Sequence, residues 1–237
     1  STRVRSSAAS DVYKRQMYET IMNLPLFKGL SHEQISSFLE KTNIRFTKFR
    51  AGETIAARSE TVDTIKCIIS GKVEITHRLG DEDSISVIET IGAENVIGAD
   101  RLFGMNTEYG ADIKAMADTS IMEFGKEQFF NLLTSGPIYL INYVNYLSFK
   151  AQKLDETFSG YPDSSIEAIL ARIVFTCTSR NAGDIRIKFN PSQLADFTRR
   201  DTSALKSRLL SLQDDNIITL QQDCIIINDR DRLIDKM

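Results

Sequence analysis

Residues 199–208, "RRDTSALKSR", place four cations and three hydroxyls within ten positions: Arg199, Arg200, Lys206 and Arg208, with Thr202, Ser203 and Ser207 between them. Guanidinium and ammonium groups of this kind meet phosphate oxygens, and hydroxyls reach base edges as donors or acceptors. The wider window 180–208 holds seven basic and three acidic side chains, a local net of +4 inside a chain whose formal charge is −3. A basic cluster in an acidic protein is the electrostatic footprint of a nucleic-acid partner.

A second stretch, "NVIGADRLFGMNTEYGADIKAM" (95–116), spaces Gly98, Gly104 and Gly110 as phosphate-binding loops do. Its cations are Arg101 and Lys114, and no Ser or Thr stands beside a basic residue. The loop is therefore short of anion-binding groups unless Arg101 or Lys114 turns inward. Its glycines are expected to serve turns that need positive φ.

Other chemistries are excluded by what is missing. Cys67, Cys177 and Cys224 lie far apart and form no CxxC pair, which argues against a disulfide framework, an iron–sulfur cluster or a thiolate metal site. His32 and His77 are too few for a zinc site of the usual type, so neither metal nor cofactor is expected. There is no GxSxG, HExxH, P-loop or dinucleotide-binding fingerprint, so no enzyme is expected. No apolar run reaches the roughly 18 residues of a membrane span. A soluble, cytoplasmic protein follows. The opening "STRVRSSAASDVYKRQ" (1–16) reads as a disordered or non-native leader, with Met17 as a start.

The elements that must position these residues are legible in outline. "SHEQ" is a capping box for a helix near 32–41. Between 44 and 124, alternating runs ("IRFTKF", "TIKCIIS", "KVEITHRL", "ISVIETI", "DIKAMA", "SIMEF") separated by turn residues predict an antiparallel barrel or jelly roll. From Pro137, residues Leu140, Val144, Leu147, Ala151, Leu154 and Phe158 recur at 4-3-4-3-4 spacing, a heptad seam on one long helix over 137–158. That spacing suits dimerisation. "SGYPDSS" breaks the chain, with Gly160 and Pro162 as punctuation and Ser164 or Ser165 as a cap. A buried helix and the strand "DIRIKF" follow.

In "NPSQLADFTRRDTSALKSRLLSLQDDN", Asn190 reads as N-cap and Pro191 as the first helical residue. A short helix with Leu194 and Ala195 inward, the turn "TRRD" and a second helix with Leu205, Leu209 and Leu212 on one face describe a helix-turn-helix. Asn216 is placed to end it, and "IITLQQDCIII" reads as a wing. Thr202, Ser203, Lys206 and Ser207 then face a major groove, while Arg199, Arg200 and Arg208 face phosphates.

Taken in order, "LPLFKGLSHEQISSFLEK", "FRAGETI", "IISGKVEIT", "NVIGADRLFG" and "PSQLADFTRRDTSALKSRLLSLQDDNII" resemble the Crp/Fnr superfamily of bacterial transcription regulators over residues 22–237. The resemblance implies an α+β chain: an N-terminal antiparallel β-roll of the cyclic-nucleotide-binding type (17–136), a dimerisation helix (137–160) and a winged helix-turn-helix (161–237). It implies a homodimer on a two-fold DNA operator, with RNA polymerase as a further partner. It also locates an effector pocket at Gly98, Ala99, Asp100, Arg101, Tyr109, Gly110 and Ala111. There the family has Glu after the first glycine and Arg-Ser or Arg-Thr before the alanine. This chain has Ala99, Tyr109 and Gly110, so the pocket is degenerate: cyclic AMP is not expected, and a different small-molecule effector, or none, takes its place. The family's base-reading Arg, Glu and Arg are matched by Thr202, Ser203 and Ser207, so base preference does not transfer. The competing expectation is a ligand-binding or structural dimer of the same fold that has lost specific DNA binding.

Overall fold

The computed structural model describes residues 15–158, 165–189 and 191–236. Residues 1–14 of the expected leader lie outside them, as do Gly160, Pro162, Ser164 and Asn190. The first described element is helix α1 (residues 15–23), so Arg15 and Gln16 are helical and Met17 sits inside a helix. Arg15 reaches Glu19, one turn on, at 3.2 Å. Next come α2 (His32–Lys41) and eight strands: β1 (Arg45–Phe49), β2 (Thr54–Ala56), β3 (Thr64–Ser70), β4 (Lys72–Leu79), β5 (Ile85–Gly92), β6 (Val96–Ile97), β7 (Asp112–Ala115) and β8 (Thr119–Gly125). Helices α3 (Lys126–Ser135), α4 (Pro137–Phe158) and α5 (Ile166–Cys177) follow, then β9 (Ile185–Phe189). The chain closes with α6 (Pro191–Thr198), α7 (Thr202–Asp214), β10 (Ile218–Gln221), β11 (Cys224–Ile227) and α8 (Arg230–Ile234). The architecture is mixed α and β with antiparallel sheets, β-roll-like in its N-terminal part and carrying a helical C-terminal part.

Two compact units divide the chain. The first takes residues 1–73, 92–109 and 114–150. Its antiparallel sheet runs β1-β8-β3-β6. β8 is central and buries both faces, taking in Ile121, Met122 and Phe124 together with the polar Thr119, Ser120 and Glu123. The capping box forms as the sequence predicts: Ser31 Oγ accepts the Gln34 N–H, and Gln34 Oε1 accepts the Ser31 N–H. Phe38 of α2 meets Phe27 at 5.0 Å and Phe124 edge-on at 5.5 Å between ring centroids. Such aromatic pairs add about 0.5–1.5 kcal/mol each beyond burial. At the β3–β4 turn only glycine fits: Gly71 has φ +98°, and a Cβ there would stand 2.6 Å from the Asp118 carbonyl.

The second unit takes residues 74–91, 110–113 and 151–237. Its strands run β10-β11-β9-β5-β4. β11 pairs with β9 through Ile225 opposite Ile187. The core gathers Ile166, Leu170 and Val174 from α5, Leu194 from α6, Leu205, Leu209 and Leu212 from α7, and Leu233 from α8. Ser165 caps α5, its hydroxyl oxygen accepting the Ala168 N–H at 3.1 Å. The sequence reading counted the residues of β4 and β5 among the strands of the roll. Its alternation located both strands correctly, but gave no sign that β5 pairs onward with β9.

Candidate nucleic-acid interface and effector loop

The helix pair is fixed from inside. Leu194 is fully buried and Ala195 nearly so, which lets α6 and α7 approach. Thr198 is buried and returns its hydroxyl to the Leu194 carbonyl at 2.8 Å, closing α6. Arg199 then adopts φ +51°, the left-handed conformation that ends a helix, although no glycine is present. Its N–H donates to the Asp196 carbonyl at 3.1 Å, and the Arg200 N–H donates to Ala195 at 3.0 Å. Asp201 caps α7, accepting from the Ser203 and Ala204 amides at 3.1 and 3.2 Å. The Ser203 hydroxyl also donates to this carboxylate. That hydroxyl, and then the Ala204 amide, hold the Asp201 carboxyl below its ordinary range.

With Leu205, Leu209 and Leu212 buried, Thr202, Ser203, Lys206 and Ser207 stand on the exposed side of α7, and Arg199 and Arg200 are exposed in the turn before it. The predicted base-facing and phosphate-facing residues, Arg208 among them, are thus all exposed. Two of them carry other ties. The hydroxyl of Ser203 donates to Asp201. Arg208 leans back toward Glu167 of α5, at 3.9 Å. Asn216 ends the helix region at φ +57°, as its position suggested. Gln221, Gln222 and Asp223, exposed at the tip of the β10–β11 hairpin, carry no cation.

Helix α4 presents two unlike faces. Tyr139 and Tyr143 are buried, whereas Leu140 and Val144 are 48% and 49% exposed, Leu147 is half-buried and Ala151 is exposed. Ile141 and Phe149 are also exposed, outside the predicted seam. The side chains of Leu154 and Phe158 lie outside the described residues.

In the effector loop, Gly98 has φ +84°, and a Cβ there would meet Val62 Cγ1 at 2.9 Å and the Thr64 carbonyl at 3.3 Å. Of the three glycines expected in left-handed turns, only Gly98 is in one; Gly104 and Gly110 keep ordinary φ. The Gly98 carbonyl takes the Arg101 and Leu102 N–H groups at 3.1 Å each, closing a tight turn. Ala99 is fully buried, and its carbonyl accepts the Tyr143 hydroxyl of α4 at 3.0 Å. Asp100 pairs with Lys150 of α4 at 3.5 Å. Arg101 is half-exposed and Lys114 exposed, and Lys114 is therefore no inward anchor. Gly110, exposed, and Ala111, buried, belong to the second unit.

Tyr109 points inward and is 7% exposed. Its ring passes 3.7 Å from the position of a Cβ on Gly98, and Lys66 Nζ lies 6.0 Å from the ring centre. Among the described residues, its buried hydroxyl has no hydrogen-bond partner. Burial first, and then the charges of Glu123, Glu60 and Asp63, push it up to about 12. The sequence reading missed the charges beneath it. Glu123 is 4% exposed and binds Arg45 at 3.0 Å and Lys66 at 3.4 Å. Burial raises this carboxyl, but Lys66, with hydrogen bonds from Thr47 and Arg45, outweighs burial and holds it below its ordinary value. The available signal was a charge in the middle of each apolar run, Lys66 in "TIKCIIS" and Glu123 in "SIMEF". Among the described residues, no cluster of His, Cys, Asp and Glu is arranged to hold a metal ion, and no helix is long and apolar enough to cross a membrane.

Residues 46–135, from β1 to the end of α3, match the family described as the cyclic nucleotide-binding domain. No protein of curated function matches the chain in sequence. Among solved structures, the catabolite activator protein of Thermus thermophilus is 16% identical, with 90% of this chain and 97% of that one covered at a TM-score of 0.49. The N-terminal domain of a transcriptional regulator from Streptomyces coelicolor is 19% identical, covering 62% of this chain and 99% of that one at 0.48. DNR from Pseudomonas aeruginosa is 20% identical, covering 92% and 96% at 0.44.

Proposed function

We propose that this chain is a dimeric, sequence-specific DNA-binding transcription regulator of the Crp/Fnr type, acting in the cytoplasm without catalytic activity and without response to cyclic AMP. The observation that carries the reading is the helix pair. One side of α7 is anchored by Leu205, Leu209 and Leu212, and the other presents Thr202, Lys206 and Ser207 behind the exposed Arg199 and Arg200. This supports reading the pair as a helix-turn-helix, in which the second helix enters the major groove and the turn meets phosphates. The exposed apolar residues Leu140 and Val144 support pairing of α4 with its copy, which matches a two-fold operator. RNA polymerase and an effector other than a cyclic nucleotide are the further partners of this reading.

The effector loop supports the loss of cyclic AMP binding. Ala99, Tyr109 and Gly110 remove the ribose-binding carboxylate and the phosphate-binding pair that the resemblance implies, and Tyr109 fills space beside Gly98. An arginine–phosphate contact alone contributes on the order of 1.5–3 kcal/mol.

The test is duplex selection from a random pool, followed by gel shift. Enrichment of a two-fold site with half-sites about one helical turn apart is the expected result. Binding no tighter to any selected duplex than to the starting pool would leave a dimer of this fold without specific DNA binding. Calorimetry with millimolar cyclic AMP should give no saturable heat, and a micromolar dissociation constant would overturn that part of the reading.

A further inference from the structure

Strand β5 joins β9 across roughly a hundred residues of sequence, with Ile85 opposite Phe189, Val87 opposite Ile187 and Glu89 opposite Ile185. The pairing goes deeper than a covered sheet edge. Ile85 and Val87 are both fully buried, in the same core as Leu205, Leu209 and Leu212 of α7. One end of the ladder is tied by polar groups. The Glu89 carboxylate, 3% exposed, accepts the Ser179 N–H at 2.6 Å and the Ser179 hydroxyl at 3.3 Å. Thr90 takes the Asp184 N–H on its hydroxyl at 2.9 Å and the Gly183 N–H on its carbonyl at 2.8 Å, and gives its own N–H to the Asp184 carbonyl at 3.0 Å. Gly183 is confined there, since a Cβ would stand 3.0 Å from the Thr90 hydroxyl oxygen. Glu74 of β4 binds Arg186 of β9 at 2.9 Å. At the hairpin's other end, a Cβ on Gly80 would stand 3.4 Å from the ring of Phe197, in the last turn of α6.

We infer that the β4–β5 hairpin is a working part of the helix-pair unit, and that the closed β5–β9 ladder is the state in which α6 and α7 engage DNA. This rests on the DNA-reading proposal above. Opening the ladder would carry Ile85, Val87 and Ile187 from full burial into water and strip Glu89 of its Ser179 donors, so it works against folding of the whole unit. The hairpin therefore serves as a fixed support for the helix pair. Glu89 and Thr90 are positioning residues, acting through β9 and the segment before it.

The experiment uses the full chain. Ser86 and Lys188 are direct partners in the ladder. Cys224 faces Lys188 from the other side, in β11, so Ser86→Cys and Lys188→Cys are introduced together with Cys224→Ser. Duplex affinity is read by anisotropy for the oxidised and reduced forms. Affinity within about threefold between the two is expected, since a disulfide suits directly facing positions of adjacent antiparallel strands. A loss of more than tenfold on oxidation, restored by reductant, would show that the ladder must open and would overturn the inference. The second arm pairs Glu89→Gln with Thr90→Val and follows amide exchange. Faster exchange is expected in β9 and α7, with β3 and β8 unchanged and duplex affinity reduced about tenfold. Faster exchange confined to β4 and β5, with affinity unchanged, would also overturn it. If the wild-type chain binds no duplex, the DNA-reading proposal fails, and the exchange arm alone decides whether the hairpin supports the helix pair.

Discussion

The hydroxyl of Ser203 donates to the carboxylate of Asp201, two residues before it, at the start of α7. One of the residues proposed to meet a base edge is thereby committed to holding its own helix end. Its oxygen keeps lone pairs and can still accept a hydrogen bond. As a donor to DNA it must first give up the Asp201 contact. Base discrimination should accordingly rest more on Lys206, Thr202 and Ser207 than on Ser203.

The same pair gives α7 a pH dependence of known sign. The Asp201 carboxyl lies below its ordinary value, so its cap contribution is complete above the unfolded-state pKa of about 3.9 and fades as pH falls through the lower folded value. Asp201→Ala should lower the thermal midpoint at neutral pH, and the gap from wild type should shrink as the pH drops below about 4. Thermal melts of both proteins across pH 2–7 check this (a range set by the reference carboxylate value of about 3.9). A gap that stays constant to the acid end would mean that the carboxylate charge has no part in the cap.

Phosphate and base contacts should fail differently. Arg199 and Arg200 are exposed in the turn, whereas Thr202, Lys206 and Ser207 are exposed on α7. Arg199→Ala with Arg200→Ala should weaken binding to every duplex and make the logarithmic salt dependence shallower by about 0.9 for each phosphate no longer neutralised. Lys206→Ala should mainly reduce the preference for a selected operator, by about 1–3 kcal/mol if it removes a good hydrogen bond to a base. Salt titrations on operator and random duplex separate the two. Arginine variants that change site choice alone, beside a silent Lys206→Ala, would put the wrong face of α7 against the DNA.

The seam on α4 predicts the oligomeric state. Leu147 is half-buried within the protomer and lies next in the row after the exposed Leu140 and Val144. A charge there would be desolvated if the row is covered by a second copy. Leu147→Asp should sediment as a monomer at micromolar concentration while keeping the far-ultraviolet dichroism of the wild type. A persistent dimer would move the interface elsewhere, for instance to the exposed Ile141 and Phe149.

Periodic features were the readable ones. The capping box at Ser31 and Gln34, the long helix α4 and the leucine face of α7 all follow from spacing along a single element, and spacing is what a sequence displays. The ladder between β5 and β9 was not legible. Val87 reads like any inward residue of an alternating strand, and the identity of the strand it meets is written only in the fold. Tyr109 was legible by type but not by direction: the loop alone did not say that its ring turns inward beside Gly98, or that Lys66 and Glu123 wait in neighbouring strands. Gly104 and Gly110 misled for the converse reason. A glycine permits positive φ without requiring it.

Tyr109 itself supports the last prediction. Its hydroxyl is buried and, among the described residues, unpartnered, and burial together with Glu123, Glu60 and Asp63 disfavours its ionised form, so it stays a neutral phenol up to about pH 12. A buried hydroxyl without a partner costs roughly 1–3 kcal/mol of desolvation, whereas its ring still contributes packing. Tyr109→Phe keeps the ring and removes the uncompensated oxygen. It should leave stability unchanged or raise it by about 1 kcal/mol, which is an upward shift of about 2–4 °C in thermal midpoint for a chain of this size. Differential scanning calorimetry of the two proteins, dialysed without added ligand, measures it. A fall of several degrees would show that the hydroxyl has a partner in solution, a buried water or a retained small molecule. Mass spectrometry of the protein released from each preparation would then tell which.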